Sequence, residues 1–144
     1  MKRSETAVSS QELEPNELAA LLARKANEDA VALREFEANK EIADSILGFH
    51  AQQAIEKWLK AILAGNAIDF EYTHDLRHLI DLVEKAAVEF PFRIPTVVLL
   101  TEYAVPLRYD ELLDAEPLDR EATVTLVNEV GVWAEQTLAK VSGG

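Results

Sequence analysis

Apolar residues recur at intervals of three and four along almost the whole chain, and this periodicity most constrains the fold. Ala122, Leu126, Val130, Trp133, Thr137 and Val141 follow one another at spacings of four, four, three, four and four, which fits one face of a helix and no strand. Nowhere does an alternating, strand-like pattern appear, and 5 Gly and 5 Pro in 144 residues leave long stretches uninterrupted. The spacing predicts an all-α protein, an up-and-down antiparallel bundle of about five helices with short connections.

The first helix is expected over 16–39, with Leu18, Leu21, Leu22, Ala26, Leu33 and Phe36 on its apolar face. A second, over 40–63, carries two apolar stripes: Leu47, Ala51, Ala54, Trp58 and Ile62 on one side, and Ile42, Ile46 and Phe49 nearly opposite. A helix apolar on two sides requires two neighbours, within the fold or from another subunit. Gly65-Asn66 is suited to the left-handed turn that follows a helix. Thr73 is expected to cap a third helix, with Asp75 in its first turn and Leu76, Leu79, Ile80, Val83, Ala87 and Phe90 as its buried stripe. A fourth helix opens near Pro95 and is interrupted at Pro106, which lacks a backbone donor. The last begins at Asp119, a natural cap, and runs to about Val141. Residues 1–15 read as a flexible polar tail and 16–141 as one domain.

Composition excludes several function classes. Absence of Cys removes disulfides, thiolate metal sites and thiol nucleophiles. No apolar run is long enough to span a bilayer and no leader-like segment opens the chain, so a cytoplasmic location is expected. With 14 Lys and Arg against 26 Asp and Glu the net charge is 14 − 26 = −12, which disfavours RNA as a partner, because coating nucleic acid draws on many cationic contacts to phosphate.

The run from Phe49 to Ala61, FHAQQAIEKWLKA, followed by Thr73-His74-Asp75-Leu76 and Leu79, resembles the HEPN family (higher eukaryote and prokaryote nucleotide-binding domain). The resemblance extends through Tyr103–Tyr109, with its Arg108-Tyr109 pair, to the final helix, and covers about residues 17–141. It implies an antiparallel helical bundle, a homodimer, and action beside a nucleotidyltransferase protein partner, as in toxin-antitoxin systems. Active members are metal-independent ribonucleases in which an arginine is followed, after four to six intervening residues, by a histidine.

Arg108 stands where that arginine belongs, but the histidine positions hold Leu113, Asp114 and Ala115. His50, His74 and His78 all precede Arg108. From Arg108 to Glu121 two arginines face six carboxylates, a balance of 2 − 6 = −4 that repels a phosphate backbone at short range. The expected function is therefore a non-catalytic dimeric interaction module that binds a nucleotidyltransferase or a nucleotide. The alternative is a divergent ribonuclease using Arg108 with His74 or His78.

The ligand-binding candidates are Arg108, Tyr109, Gln53 and Lys57. Arg108-Tyr109 reads either as a remnant phosphate contact or as a salt-bridged helix end. Gln52-Gln53 with Lys57 and Lys60 reads either as a polar groove for a nucleotide or, through Gln53, as a group that satisfies buried backbone or pairs across a dimer seam. His74 and His78, four apart, share a helix face, but no third ligand is evident beyond the nearby Asp75 and Asp81, so neither a metal nor another cofactor is expected. Trp58 and Trp133 are assigned to the core.

Overall fold

The computed structural model describes residues 13–104 and 117–143. Among them are five α-helices, α1 (Pro15–Phe36), α2 (Asp44–Gly65), α3 (Leu76–Lys85), α4 (Ile94–Val98) and α5 (Arg120–Gly143), with a 3-10 helix, Leu99–Ala104, continuing α4. The described chain is all-α, as the periodicity predicts. Residues 1–12 of the expected tail and the kink at Pro106 lie outside the described residues.

Helix α2 is the centre of the bundle. Leu47, Ala51, Ala54, Ile55, Leu59, Ile62 and Leu63 are fully buried along it, and α1, α3, the 3-10 helix and α5 all pack on it. Helix α1 runs antiparallel to it and buries Ala19, Ala23, Ala26, Ala30 and Leu33. The expected ridge of Leu18, Leu21, Leu22 and Phe36 is only half-buried. Alanines at alternating four- and three-residue intervals let the two helix axes approach closely, so the small residues take the seam and the larger ones flank it.

Several boundaries differ from expectation for local reasons. Helix α2 starts at Asp44, after a turn closed by the Asn39 Oδ1 acceptor for Glu41 N–H at 3.0 Å. Beyond α2 the left-handed residue is Ala67, with φ 56°, while Asn66 remains at φ −96°. The cap of α3 is Asp75, which accepts from the Arg77 and His78 N–H groups; Thr73 instead accepts from Asp75 N–H at 3.0 Å. Ala87 falls outside α3 in the left-handed region, φ 66°, and is exposed, whereas Phe90 beyond it is buried. Asp119 does cap α5, accepting from Ala122 N–H at 3.1 Å.

The buried face of α5 is rotated from the expected stripe: Thr123, Val124, Val127, Val130 and Ala134 are buried, while Ala122 is exposed and Leu126 half-buried. Trp58 of α2 sets this rotation. Its ring lies so close to Gly131 that a Cβ there would stand 2.6 Å from it. Gly131→Ala is therefore expected to cost about 1–3 kcal/mol by forcing the ring or α5 aside, read as a lower urea midpoint with an unchanged slope. Trp58 is core as assigned. Trp133 is half-buried and packs edge-on against Phe90 at 5.2 Å and Phe92 at 5.7 Å.

The end of α1, the turn after it and the start of α5 are tied by one side chain. The Arg120 guanidinium donates to the carbonyls of Phe36, Glu37, Asn39 and Ile42, and its Nε donates to Asp44 Oδ1 at 2.9 Å. The other Asp44 oxygen accepts from Leu118 N–H at 3.0 Å. Carbonyls at a helix C-terminus have no intrahelical donor, and here an arginine from across the chain supplies one.

Candidate functional site

The polar residues of the FHAQQAIEKWLKA run occupy the face of α2 turned away from α5, and two carboxylates organise them. Glu56 is buried. Its Oε1 accepts from Gln52 Nε2 at 2.8 Å and from His74 Nδ1 at 2.9 Å, and its Oε2 accepts from Lys60 Nζ at 2.8 Å. Lys60 and Glu56 are one helical turn apart, the favourable arrangement of an acid preceding a base. His74 reaches them because Gln52, fully buried, also donates to the His74 carbonyl at 3.1 Å and so fixes the loop before α3.

The second carboxylate is Asp29 of α1. Its Oδ1 accepts from His50 Nδ1 at 2.9 Å and its Oδ2 from Lys57 Nζ at 2.6 Å. The two clusters share one plan: a carboxylate with a histidine on one oxygen and a lysine on the other. A carboxylate only accepts, so Nδ1 carries the proton in both imidazoles when they donate to it. Gln53 stands between the clusters and donates from Nε2 to Gln52 Oε1 at 2.8 Å.

Aromatic rings border both clusters. Phe36 and Phe49 lie edge-on to His50 at 5.4 and 5.5 Å. Lys60 Nζ sits 5.8 Å from the Phe70 ring centre and 5.5 Å from that of Tyr72, which is 87% exposed and edge-on to His74. These contacts add cation–π attraction to an ion pair already removed from water.

The proposed site residues are thus distributed. Gln53, Lys57 and His74 belong to one continuous polar seam, but Lys57 is held on Asp29 and His74 on Glu56. His78 lies apart, 3.5 Å from Glu71. Arg108 and Tyr109 lie outside the described residues. Asp29, His50 and Glu56 were not singled out from sequence. The Glu56-Lys60 spacing is a legible signal; nothing in the sequence points from Asp29 to residues 21 and 28 positions later. Among the described residues no three His, Asp or Glu side chains gather into a metal-binding group.

The residues flanking Arg108 and Tyr109 in the chain border a groove of about 460 Å³ between the 3-10 helix and the start of α5. Leu99, Leu100, Tyr103, Leu118 and Leu126 line it with Glu102 and Asp119, and none of its described lining residues is a cation. Tyr103 packs over Gly48 of α2. Burial raises its phenol pKa, and the negative charges of Asp44 and Glu102 raise it further. A raised folded-state pKa means the unfolded chain loses the proton first, so this contribution is complete below roughly pH 10 and is lost as pH climbs above it. Tyr103→Phe is expected to flatten the fall in melting temperature above pH 10, measured by circular dichroism.

The HEPN domain family model matches residues 19–137. No curated protein and no solved structure matches the chain. Among the described residues no helix is long and apolar enough to cross a membrane.

Proposed function

The chain belongs to the HEPN domain family, and from that premise we propose that it acts as a dimeric, non-catalytic interaction module that docks a protein partner, a nucleotidyltransferase in the setting the family suggests. One observation carries this reading: the lysines of the α2 seam are already bound to the carboxylates that hold its histidines. Metal-free cleavage of a phosphodiester needs a proton-transferring group together with a cation for the charge that develops on phosphate. In the seam each cluster pairs one lysine with one carboxylate, so neither lysine stands uncommitted beside a histidine. The sequence after Arg108 agrees, since Leu113, Asp114 and Ala115 occupy the histidine positions amid excess acid. On this reading any nucleotide is held chiefly by the partner.

The test is an RNA-cleavage assay in EDTA with the purified chain, alongside light scattering. No cleavage and a particle of twice the 16.0 kDa chain mass are expected. Metal-independent cleavage abolished by Arg108→Ala overturns the proposal in favour of a divergent ribonuclease.

A further inference from the structure

Both walls of the groove between the 3-10 helix and α5 are tied to the first turns of α2. Tyr103, on one wall, lies over Gly48, where a Cβ would stand 2.4 Å from its ring. On the other wall Leu118 N–H donates to Asp44 Oδ2 at 3.0 Å, and Arg120 Nε holds the second oxygen of that carboxylate at 2.9 Å. Asp44 and Gly48 are four residues apart on one face of the helix, so the α2 backbone sets the spacing of the two walls. The space of about 460 Å³ between them is in the size range of small-ligand sites and is formed before any ligand arrives.

The lining combines apolar surface with uncompensated negative charge. Leu99 is 67% exposed, the most exposed large aliphatic side chain among the described residues, and Leu118 and Leu126 lie across the groove from it. Glu102 and Asp119 are exposed on its rim, and no described cation forms an ion pair with either. Arg120, next to Asp119 in the chain, is spent on Asp44 and on the carbonyls after α1. The Tyr103 hydroxyl has no hydrogen-bond partner among the described residues.

We infer that this groove binds an organic cation, a primary amine carried on an apolar alkyl or aryl body.

Charge selects this class over the others. A phosphate or carboxylate ligand would meet Glu102 and Asp119 with no described cation to offset them. A sugar would lay its hydroxyls on leucines that cannot bond to them. A neutral hydrocarbon would cover the leucines but leave the carboxylates partly desolvated and unpaired. An amine meets both demands: its body covers Leu99 and Leu126, its ammonium donates to the rim carboxylates, and the Tyr103 ring adds attraction for a cation. Neither dimerisation nor a nucleotidyltransferase enters this inference, so it stands or falls apart from the function proposed above.

The test uses three probes on one carbon skeleton, phenylbutylamine, phenylbutanol and phenylbutanoate, titrated into the isotope-labelled full chain at physiological ionic strength and followed by amide NMR shifts. The amine is expected to move the amides of residues 99–104 and 118–126 with a dissociation constant on the order of 1 mM, the affinity of a fragment this small. The alcohol is expected to bind about threefold more weakly, and the butanoate not to saturate. Glu102→Gln is expected to weaken the amine about threefold and leave the alcohol unchanged. Glu84→Gln, at an exposed acid on α3, is expected to change neither. Ala122→Phe, which fills the groove from an exposed position on α5, is expected to abolish saturable binding of both.

Shifts scattered over the acidic surface, or equal weakening by Glu84→Gln and Glu102→Gln, mean that the amine answers only the net charge of −12 and overturn the inference. Butanoate binding as tight as that of the amine overturns it too, as does a failure of all three probes to saturate. Should Ala122→Phe fail to fold by circular dichroism, the comparison of Glu102→Gln with Glu84→Gln decides.

Discussion

Glu56→Ala is expected to destabilise the fold by about 3–5 kcal/mol, because it removes the partner of a lysine that cannot reach water. Lys60 is 8% exposed and Glu56 4%. The substitution leaves that ammonium buried without its carboxylate, strips His74 Nδ1 of its acceptor and takes one of two acceptors from Gln52 Nε2. A large drop in urea midpoint is the readout. Removing both charges together distinguishes pairing from packing: Glu56→Leu combined with Lys60→Met is expected to recover most of the loss, since apolar residues of similar volume replace a desolvated pair at little cost. If the double variant is no more stable than Glu56→Ala, the ion pair is not the source of the effect. A further consequence is local. With Glu56 gone, the loop carrying Tyr72 and His74 loses the anchor of the His74 side chain and keeps the tie from Gln52 to the His74 carbonyl, so its amide protons are expected to exchange faster than those of α2.

Arg120→Ala is expected to cost about 2–4 kcal/mol, as a charged donor to several carbonyls is lost while Asp44 is left beside unpaired groups. Five acceptors converge on this guanidinium, four of them main-chain carbonyls at the end of α1 and in the turn that follows. Two of the four, those of Phe36 and Asn39, also accept main-chain N–H groups, from Asn39 and Ile42. Lysine is not equivalent, since an ammonium lacks the planar fork that reaches Asp44 and the carbonyls together. Arg120→Lys is therefore expected to restore less than half of the lost stability. The measurement is the thermal midpoint of each variant, and an Arg120→Ala midpoint within a degree or two of the parent would refute the assignment. The Phe36 carbonyl is one of the acceptors and the Phe36 ring borders His50, so the same substitution is expected to shift the His50 ring signals in NMR spectra.

Features set by neighbours in sequence are legible without coordinates. The three-and-four periodicity reports the helices, Asp119 reports the start of α5, and the FHAQQAIEKWLKA and Thr73-His74-Asp75-Leu76 runs report the family. The site is less legible. Glu56 and Lys60 are one turn apart and invite pairing, but Asp29 meets His50 and Lys57 only because α1 folds back along α2 on a ridge of alanines. Arg120 meets Phe36 to Asp44 across some eighty residues for a similar reason. The choice of cap at α3 turned on a two-residue difference between Thr73 and Asp75, both chemically competent, and was decided by which one had helical amides within reach of its side chain.

The chain's own residues, read in order, establish an all-α protein of the HEPN family that lacks a histidine after Arg108, because spacing and motif are local properties. Which face of each helix is buried is not local. On α5 two stripes share the same spacing, and the Trp58 ring against Gly131 selects between them. On α2 the second apolar stripe predicts a neighbour without saying whether it comes from the fold or from another subunit, and packing leaves Ile46 and Phe49 outside the core. Pairing of Asp29 and Glu56 with a lysine and a histidine each likewise depends on helix register. Register follows from burying the most apolar surface and leaving no charge alone, a balance struck over the whole bundle rather than within any one segment of it.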